Sequence, residues 1–181
     1  APRRVTADDR YAAFLRERPG DPAPAIKVSK FVKNGPLNSF EPGKVYVMEF
    51  WATWCGPCIQ AIPHLTELQK KYREQGVIFM GTSVWERDTE QSKVEPFVQK
   101  MGDKMNYIVA MDDRSDGGTG VMAETWLEAA GQNGIPASFI VDQKGRIVWI
   151  GHPMQLEEVL KQVLAGTFDV EKQSKMASAM K

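Results

Sequence analysis

Two cysteines three positions apart, Cys55 and Cys58, are the only thiols in a chain of 181 residues. A bridge across so short a loop takes little entropy from the unfolded chain, so stability is a poor reason to keep it. Chemistry is the better reason. The pair lies where a β-branched and aromatic run, Val45 to Trp51, gives way to a helical pattern. Cys55 then falls at or beside the helix N-cap, with Gly56 and Pro57 in the first turn, where a missing N–H costs nothing. Free N–H groups and the positive end of the helix dipole favour a thiolate, so Cys55 is the expected nucleophile. The i, i+3 spacing puts Cys58 on the same face and one turn deeper. That is the place of a resolving thiol, which attacks the mixed disulfide and releases the substrate. Zinc is the competing reading, and it fails on ligand spacing. A structural zinc takes four ligands, and the chain adds only His64 and His152, neither in a ligand motif. No metal and no cofactor is expected beyond the Cys55–Cys58 disulfide itself.

The elements that must position this pair follow from periodicity. Val45 to Trp51 reads as a buried central strand, and Pro57 to Gln75, with apolar residues at Ile59, Ile62, Leu65, Leu68 and Tyr72, as a helix closed by Gly76. Val77–Val84, Tyr107–Ala110, Ala137–Val141 and Arg146–Ile150 read as further strands, the last two joined by the turn Asp142-Gln143-Lys144-Gly145. Helices are expected over Glu90–Met101, where Pro96 can shift the start, over Val121–Ala130, and over Leu156–Leu164. Ile26 to Val32 suggests an extended segment or small hairpin before the turn Asn34-Gly35-Pro36. The order β-α-β-α-β-α-β-β-α describes an α/β domain whose last two strands are antiparallel. Residues 1–19 form an N-terminal segment with a short helix around Tyr11, Phe14 and Leu15. The domain proper spans 20–168, and 169–181 is a polar tail.

Composition narrows the function classes. With 23 basic and 23 acidic side chains the net charge is zero, so no basic surplus marks a nucleic-acid binder. No apolar run reaches the length of a bilayer span. The start Ala1-Pro2-Arg3-Arg4 fits an exported chain after processing, or a shortened one. The acidic loop Asp112–Asp116 lacks the ligand pattern and closing Glu of an EF-hand loop and reads as solvated. His64 and His152 read as surface or packing residues. Glu49 is the notable charge: it lies inside the buried strand, where an unpaired carboxylate is expensive and its pKa is expected to rise.

The segment Phe50-Trp51-Ala52-Thr53-Trp54-Cys55-Gly56-Pro57-Cys58 resembles the active-site segment of thioredoxins and, more narrowly, of the TlpA/ResA-like thiol–disulfide oxidoreductases. Gly20-Asp21-Pro22-Ala23-Pro24 and Gly43-Lys44 are similar to the redoxin-type N-terminal extension. Gly134-Ile135-Pro136 is similar to the family's cis-proline loop, and Ile140-Val141-Asp142 with Gly145 to its hairpin. The resemblance covers about Gly20 to Phe168 and implies a thioredoxin-like fold, a central mixed β-sheet flanked by helices. It implies that Pro136 is cis against the cysteines and that the Ile135 backbone pairs with a substrate strand. It makes Pro63 a kink in the active-site helix and sets Trp51 and Trp54 around the thiols. Trp54, Gly56, Pro57, Ile135 and Pro136 are then the expected substrate-binding positions. Glu49 stands where thioredoxins carry a buried Asp, and the resemblance gives it the task of taking the Cys58 proton through water. One departure stands out: ResA-type proteins carry a Glu shortly after the second cysteine, and here the neighbours are Ile59, Gln60 and Ala61.

The expected activity is thiol–disulfide exchange on protein disulfides, with Gly-Pro between the cysteines resembling the reductant end of the family. The resemblance further implies an extracytoplasmic setting, a membrane or thioredoxin-type electron donor, and a monomer. A thiol peroxidase would need a Pro-x-x-x-Thr-x-x-Cys setting, which neither cysteine has. A non-catalytic binding module would be favoured by loss of either cysteine, and both are present.

Overall fold

The computed structural model describes residues 22–170. The expected helix within 1–19 and the tail from 171 onward lie outside the described residues. Six strands form one mixed sheet: β1 (Val28–Lys33), β2 (Val45–Trp51), β3 (Val77–Ser83), β4 (Ile108–Asp112), β5 (Ala137–Val141) and β6 (Ile147–Gly151). Their order across the sheet is β1-β4-β3-β2-β5-β6. The fold is thioredoxin-like.

All seven residues of β2 are buried, as a strand covered on both faces requires. It runs parallel to β3 and antiparallel to β5, so Glu49 stands beside Gly81 on one flank and Ser138 on the other. Alternation sorts the side chains. Val45, Val47 and Trp51 point to one face, where they meet Ile62 and Leu65 of helix α1 (Gly56–Tyr72). Val94 and Val98 of α2 (Val94–Met101) and Leu156, Leu160 and Val163 of α3 (Leu156–Ala165) belong to the same layer. Tyr46, Met48 and Phe50 point the other way, to Met122, Ala123, Trp126 and Leu127. There Phe139 meets Phe50 edge to face with 5.5 Å between ring centroids, and Trp126 at the same distance. That arrangement sets the positive edge of one ring against the negative face of the other. Glu49, by its parity, belongs to the α1 face.

Two elements depart from the periodicity. The helix expected from Glu90 begins at Val94, after a 3₁₀ stretch Asp88–Lys93. Pro96 then falls in the first turn, among N–H groups that have no intrahelical partner, so its missing donor costs nothing there. The helix expected over Val121–Ala130 carries a π-helical segment, Ala123–Glu128, closed by Ala129 N–H donating to Glu124 O at 3.1 Å. Of the two readings of Ile26 to Val32, the extended segment holds: β1 is an edge strand antiparallel to β4. In the turn expected at Asn34-Gly35-Pro36 the Gly35–Pro36 bond is cis.

Asp112 ends β4 and caps the helical segment that follows. Its carboxylate accepts from the backbone N–H groups of Met122 at 2.7 Å, Ala123 at 2.9 Å and Asp113 at 2.8 Å. Gly120, at φ 126°, leaves the space in which that carboxylate lies, and any Cβ there would collide with it.

Candidate active site

The cysteines sit at the C-terminal end of β2, where the chain turns into α1. Cys55 is the N-cap residue of α1, with extended backbone, and Ile59 N–H donates to its carbonyl at 3.1 Å to open the helix. Cys55 and Cys58 are joined in a disulfide with their Cα atoms 5.3 Å apart. Cys58 N–H also donates to Cys55 Sγ at 3.2 Å. A helix-terminal N–H thus points at the sulphur of Cys55, and a free N–H at that position favours negative charge. Both residues are nearly closed off, Cys55 at 4% exposure and Cys58 at 2%. Pro63 lies within α1.

The cis-proline loop covers the pair from the β5 side. The Ile135–Pro136 bond is cis, and the Ile135 carbonyl oxygen lies 3.8 Å from Cys55 Sγ. Trp54 is 47% exposed beside the disulfide, an unusual exposure for a ring of that size, and its indole N–H donates to the Trp85 carbonyl at 2.9 Å. Trp51 is fully buried and stacks at a tilt on Phe97, so it belongs to the core under the site.

Glu49 is 3% exposed and accepts a hydrogen bond from Ser138 Oγ. Burial pushes its carboxyl well above the ordinary range, and the Ser138 hydroxyl offsets part of that rise. On its other flank stands Gly81, where a Cβ would come within 3.0 Å of the Tyr107 ring and 3.4 Å of the Trp51 ring. Aromatic edges thus fill the space beside the carboxylate where a cation could have stood. The phenol of buried Tyr107 is itself raised, first by desolvation and then by the charge on Glu49. Cys58 and Glu49 share the α1 face of the sheet, which places the carboxylate in the layer below the buried sulphur.

The histidines are elsewhere. His64 is half-buried on α1, and His152 Nδ1 accepts from Met154 N–H at 3.1 Å, capping a short 3₁₀ turn. Among the described residues no group of three or more His, Cys, Asp or Glu is arranged to hold a metal ion. No helix among them is long and apolar enough to cross a membrane.

Sequence reasoning missed Glu86. It is buried, and its carboxylate accepts from Thr53 N–H at 2.5 Å, Thr53 Oγ1 at 2.7 Å and Ser83 Oγ at 3.3 Å. In sequence it is only the first charge after an apolar strand. The signal that could have found it is Thr53, a small hydroxyl residue between two tryptophans just before the first cysteine.

The Redoxin family profile matches residues 18–164. The chain is 32% identical over 161 residues to protein FixW of Rhizobium leguminosarum, covering 87% of this chain and 71% of that protein. It is 27% identical over 158 residues to the thiol-disulfide oxidoreductase ResA of Geobacillus thermodenitrificans, covering 85% and 83%. Among solved structures it is similar to a thiol:disulfide interchange protein, a thioredoxin family protein from Chlorobium tepidum. That match has a TM-score of 0.62 and 26% identity, over 79% of this chain and 95% of that one.

Proposed function

Since this chain belongs to the redoxin family and is a thiol–disulfide oxidoreductase, we propose that it reduces disulfides of protein clients outside the cytoplasm. The observation that carries the reading is the Cys55 sulphur at the N-terminus of α1, accepting from Cys58 N–H at 3.2 Å. In the dithiol form that N–H stabilises a Cys55 thiolate, which attacks one sulphur of a client disulfide. A Cys55–client mixed disulfide forms, and the client's other sulphur leaves as a thiolate. Cys58 then attacks the Cys55 sulphur, closes the Cys55–Cys58 bridge and releases the second client thiol. The Cys58 proton goes to Glu49 through water, a transfer suited to a buried carboxylate whose pKa lies above its ordinary value. Two electrons pass to the client in each cycle, and a membrane or thioredoxin-type dithiol donor restores the pair.

Client recognition falls to the surface around the disulfide. The Ile135 backbone, ahead of cis-Pro136, offers pairing to a client strand, while exposed Trp54 and the Gly56-Pro57 turn frame the sulphur. The reductant direction and the extracytoplasmic setting are supported by the Gly-Pro dipeptide and by the likeness to ResA.

The test is the midpoint potential of the Cys55/Cys58 couple against a glutathione buffer, with Cys58→Ser as control. A value near the roughly −270 mV of thioredoxin supports a reductant. A value near about −120 mV, that of a strong oxidant, would reverse the assigned direction. Absence of any reversible intramolecular disulfide would remove the exchange mechanism altogether.

A further inference from the structure

The segment leaving β3 holds the loop that carries the nucleophile. Val84 N–H donates to the Trp51 carbonyl at 2.9 Å, and the Trp54 indole N–H reaches the Trp85 carbonyl at 2.9 Å. Between these two ties, both oxygens of Glu86 take Thr53, one through its backbone N–H and one through its hydroxyl. Trp85 adopts φ 54°, a left-handed backbone that a bulky residue enters only when its surroundings impose it. That turn brings the Trp85 carbonyl to the indole of Trp54 and the Glu86 side chain under Thr53.

The chain from Thr53 to Cys55 is short, and Cys55 N–H already closes a turn onto the Ala52 carbonyl at 3.1 Å. Fixing Thr53 therefore fixes Cys55. Arg114, from the glycine-rich loop after β4, donates to the Glu86 backbone carbonyl at 2.6 Å, and Gln91 Nε2 to the same oxygen at 3.3 Å. The clasp is thus anchored from behind by two further segments.

The geometry points to Glu86 as a positioning residue that both sets the Cys55 loop and biases the Cys55/Cys58 couple towards disulfide, making the dithiol a stronger reductant. This rests on the reading of the pair as an exchange couple. The first half follows from the bonds to Thr53. The second follows from charge. Every hydrogen bond found at the Glu86 side chain is accepted, as an ionised carboxylate accepts, and it is buried against Thr53, two residues before the nucleophile. A like charge close to a developing thiolate disfavours it, and a couple whose thiolate is disfavoured gives up electrons more readily. The groups facing Glu86 are Thr53 from the active-site loop, Ser83 from β3, and Arg114 and Gln91 at its backbone.

Glu86→Gln tests this with shape conserved. The amide oxygen can still accept from Thr53 N–H, and the amide N–H can donate to Thr53 Oγ1, so the clasp stays while the charge goes. The wild type, Glu86→Gln and Glu86→Ala are compared by midpoint potential in glutathione buffer, by the pH profile of Cys55 alkylation, and by melting of the oxidised and reduced forms. Glu86→Gln is expected to shift the exchange equilibrium about tenfold towards the dithiol, roughly 30 mV upward, and to move Cys55 alkylation to lower pH. Glu86→Ala, where it folds, adds a slower attack by Cys55. A wild type that cycles reversibly, with Glu86→Gln matching its potential and alkylation profile, would make Glu86 a framework residue and leave the exchange reading standing. Equal loss of melting temperature in both redox forms with an unmoved potential would say the same. A wild type that never cycles would bring down both.

Discussion

Glu49→Gln should flatten the pH dependence of stability, and the sign follows from burial. The folded carboxyl holds its proton to a pH well above 4.5, because desolvation outweighs the Ser138 hydrogen bond. Unfolding returns it to water and to its ordinary affinity. Between those two values the folded chain binds more protons than the unfolded one, so stability is fully present below about pH 4.5 and falls as pH rises through the folded value. The slope reaches about 1.4 kcal/mol per pH unit at most for one group. Two units inside that window would thus remove up to about 2.7 kcal/mol, a large part of the stability of a domain this size. The substituted amide has nothing to ionise, yet its oxygen can still accept from Ser138 Oγ. Urea unfolding of the oxidised wild type and Glu49→Gln from about pH 5 to about pH 8 makes the measurement, since the disulfide form has no thiol to titrate. The difference between the two curves isolates Glu49 from carboxyls such as Asp112, which is also raised by burial. The variant should gain on the wild type steadily as pH rises. Parallel curves would refute the assignment of a costly buried charge at this position.

Other outcomes follow from the same geometry. Glu49→Gln should also slow closure of the disulfide by Cys58 about 10²-fold at neutral pH while sparing the first attack, resolved by stopped-flow with a small disulfide. Cys58→Ser should accumulate a Cys55–client mixed disulfide visible on non-reducing gels, and Cys55→Ser should accumulate none. Gly120→Ala should cost about 2–3 kcal/mol in denaturant unfolding, because its Cβ would displace the Asp112 carboxylate from the N–H groups of Met122 and Ala123. Phe139→Ala should cost about 3–5 kcal/mol, since it empties a fully buried place between Phe50 and Trp126.

The strands were legible because covered strands are rich in β-branched and aromatic residues, as in Val45–Trp51 around its one charge, Glu49, and the active-site helix because Ile62, Leu65 and Leu68 recur at its period. What was not legible was long-range. No spacing announces that Ser138 will stand beside Glu49, because that pairing is made by β5 running antiparallel to β2. Nothing in the sequence marks Gly81, whose flank is filled by Tyr107 and Trp51. Glu86 escaped because its hydroxyl partner Thr53 lies 33 positions away in the sequence, and no spacing links the two. The π-helical turn at Ala123–Glu128 has the same apolar spacing as an α-helix over so short a stretch, so periodicity alone does not separate them.

The sheet order carries one more consequence, for a chain made or exported from its N-terminus. The disulfide is flanked on one side by the exit of β3 and on the other by the entrance of β5, because β5 runs opposite to its neighbour. A chain that has emerged only as far as Ala130 therefore already carries the residues of both thiols, of α1 and of Glu86. It lacks the Ile135–Pro136 cover and the Ser138 partner of Glu49. The reactive pair is delivered early and its guard last. Until the final third of the sequence arrives, Cys55 is an unscreened thiol open to any passing disulfide, and selectivity towards clients is a property only of the finished chain.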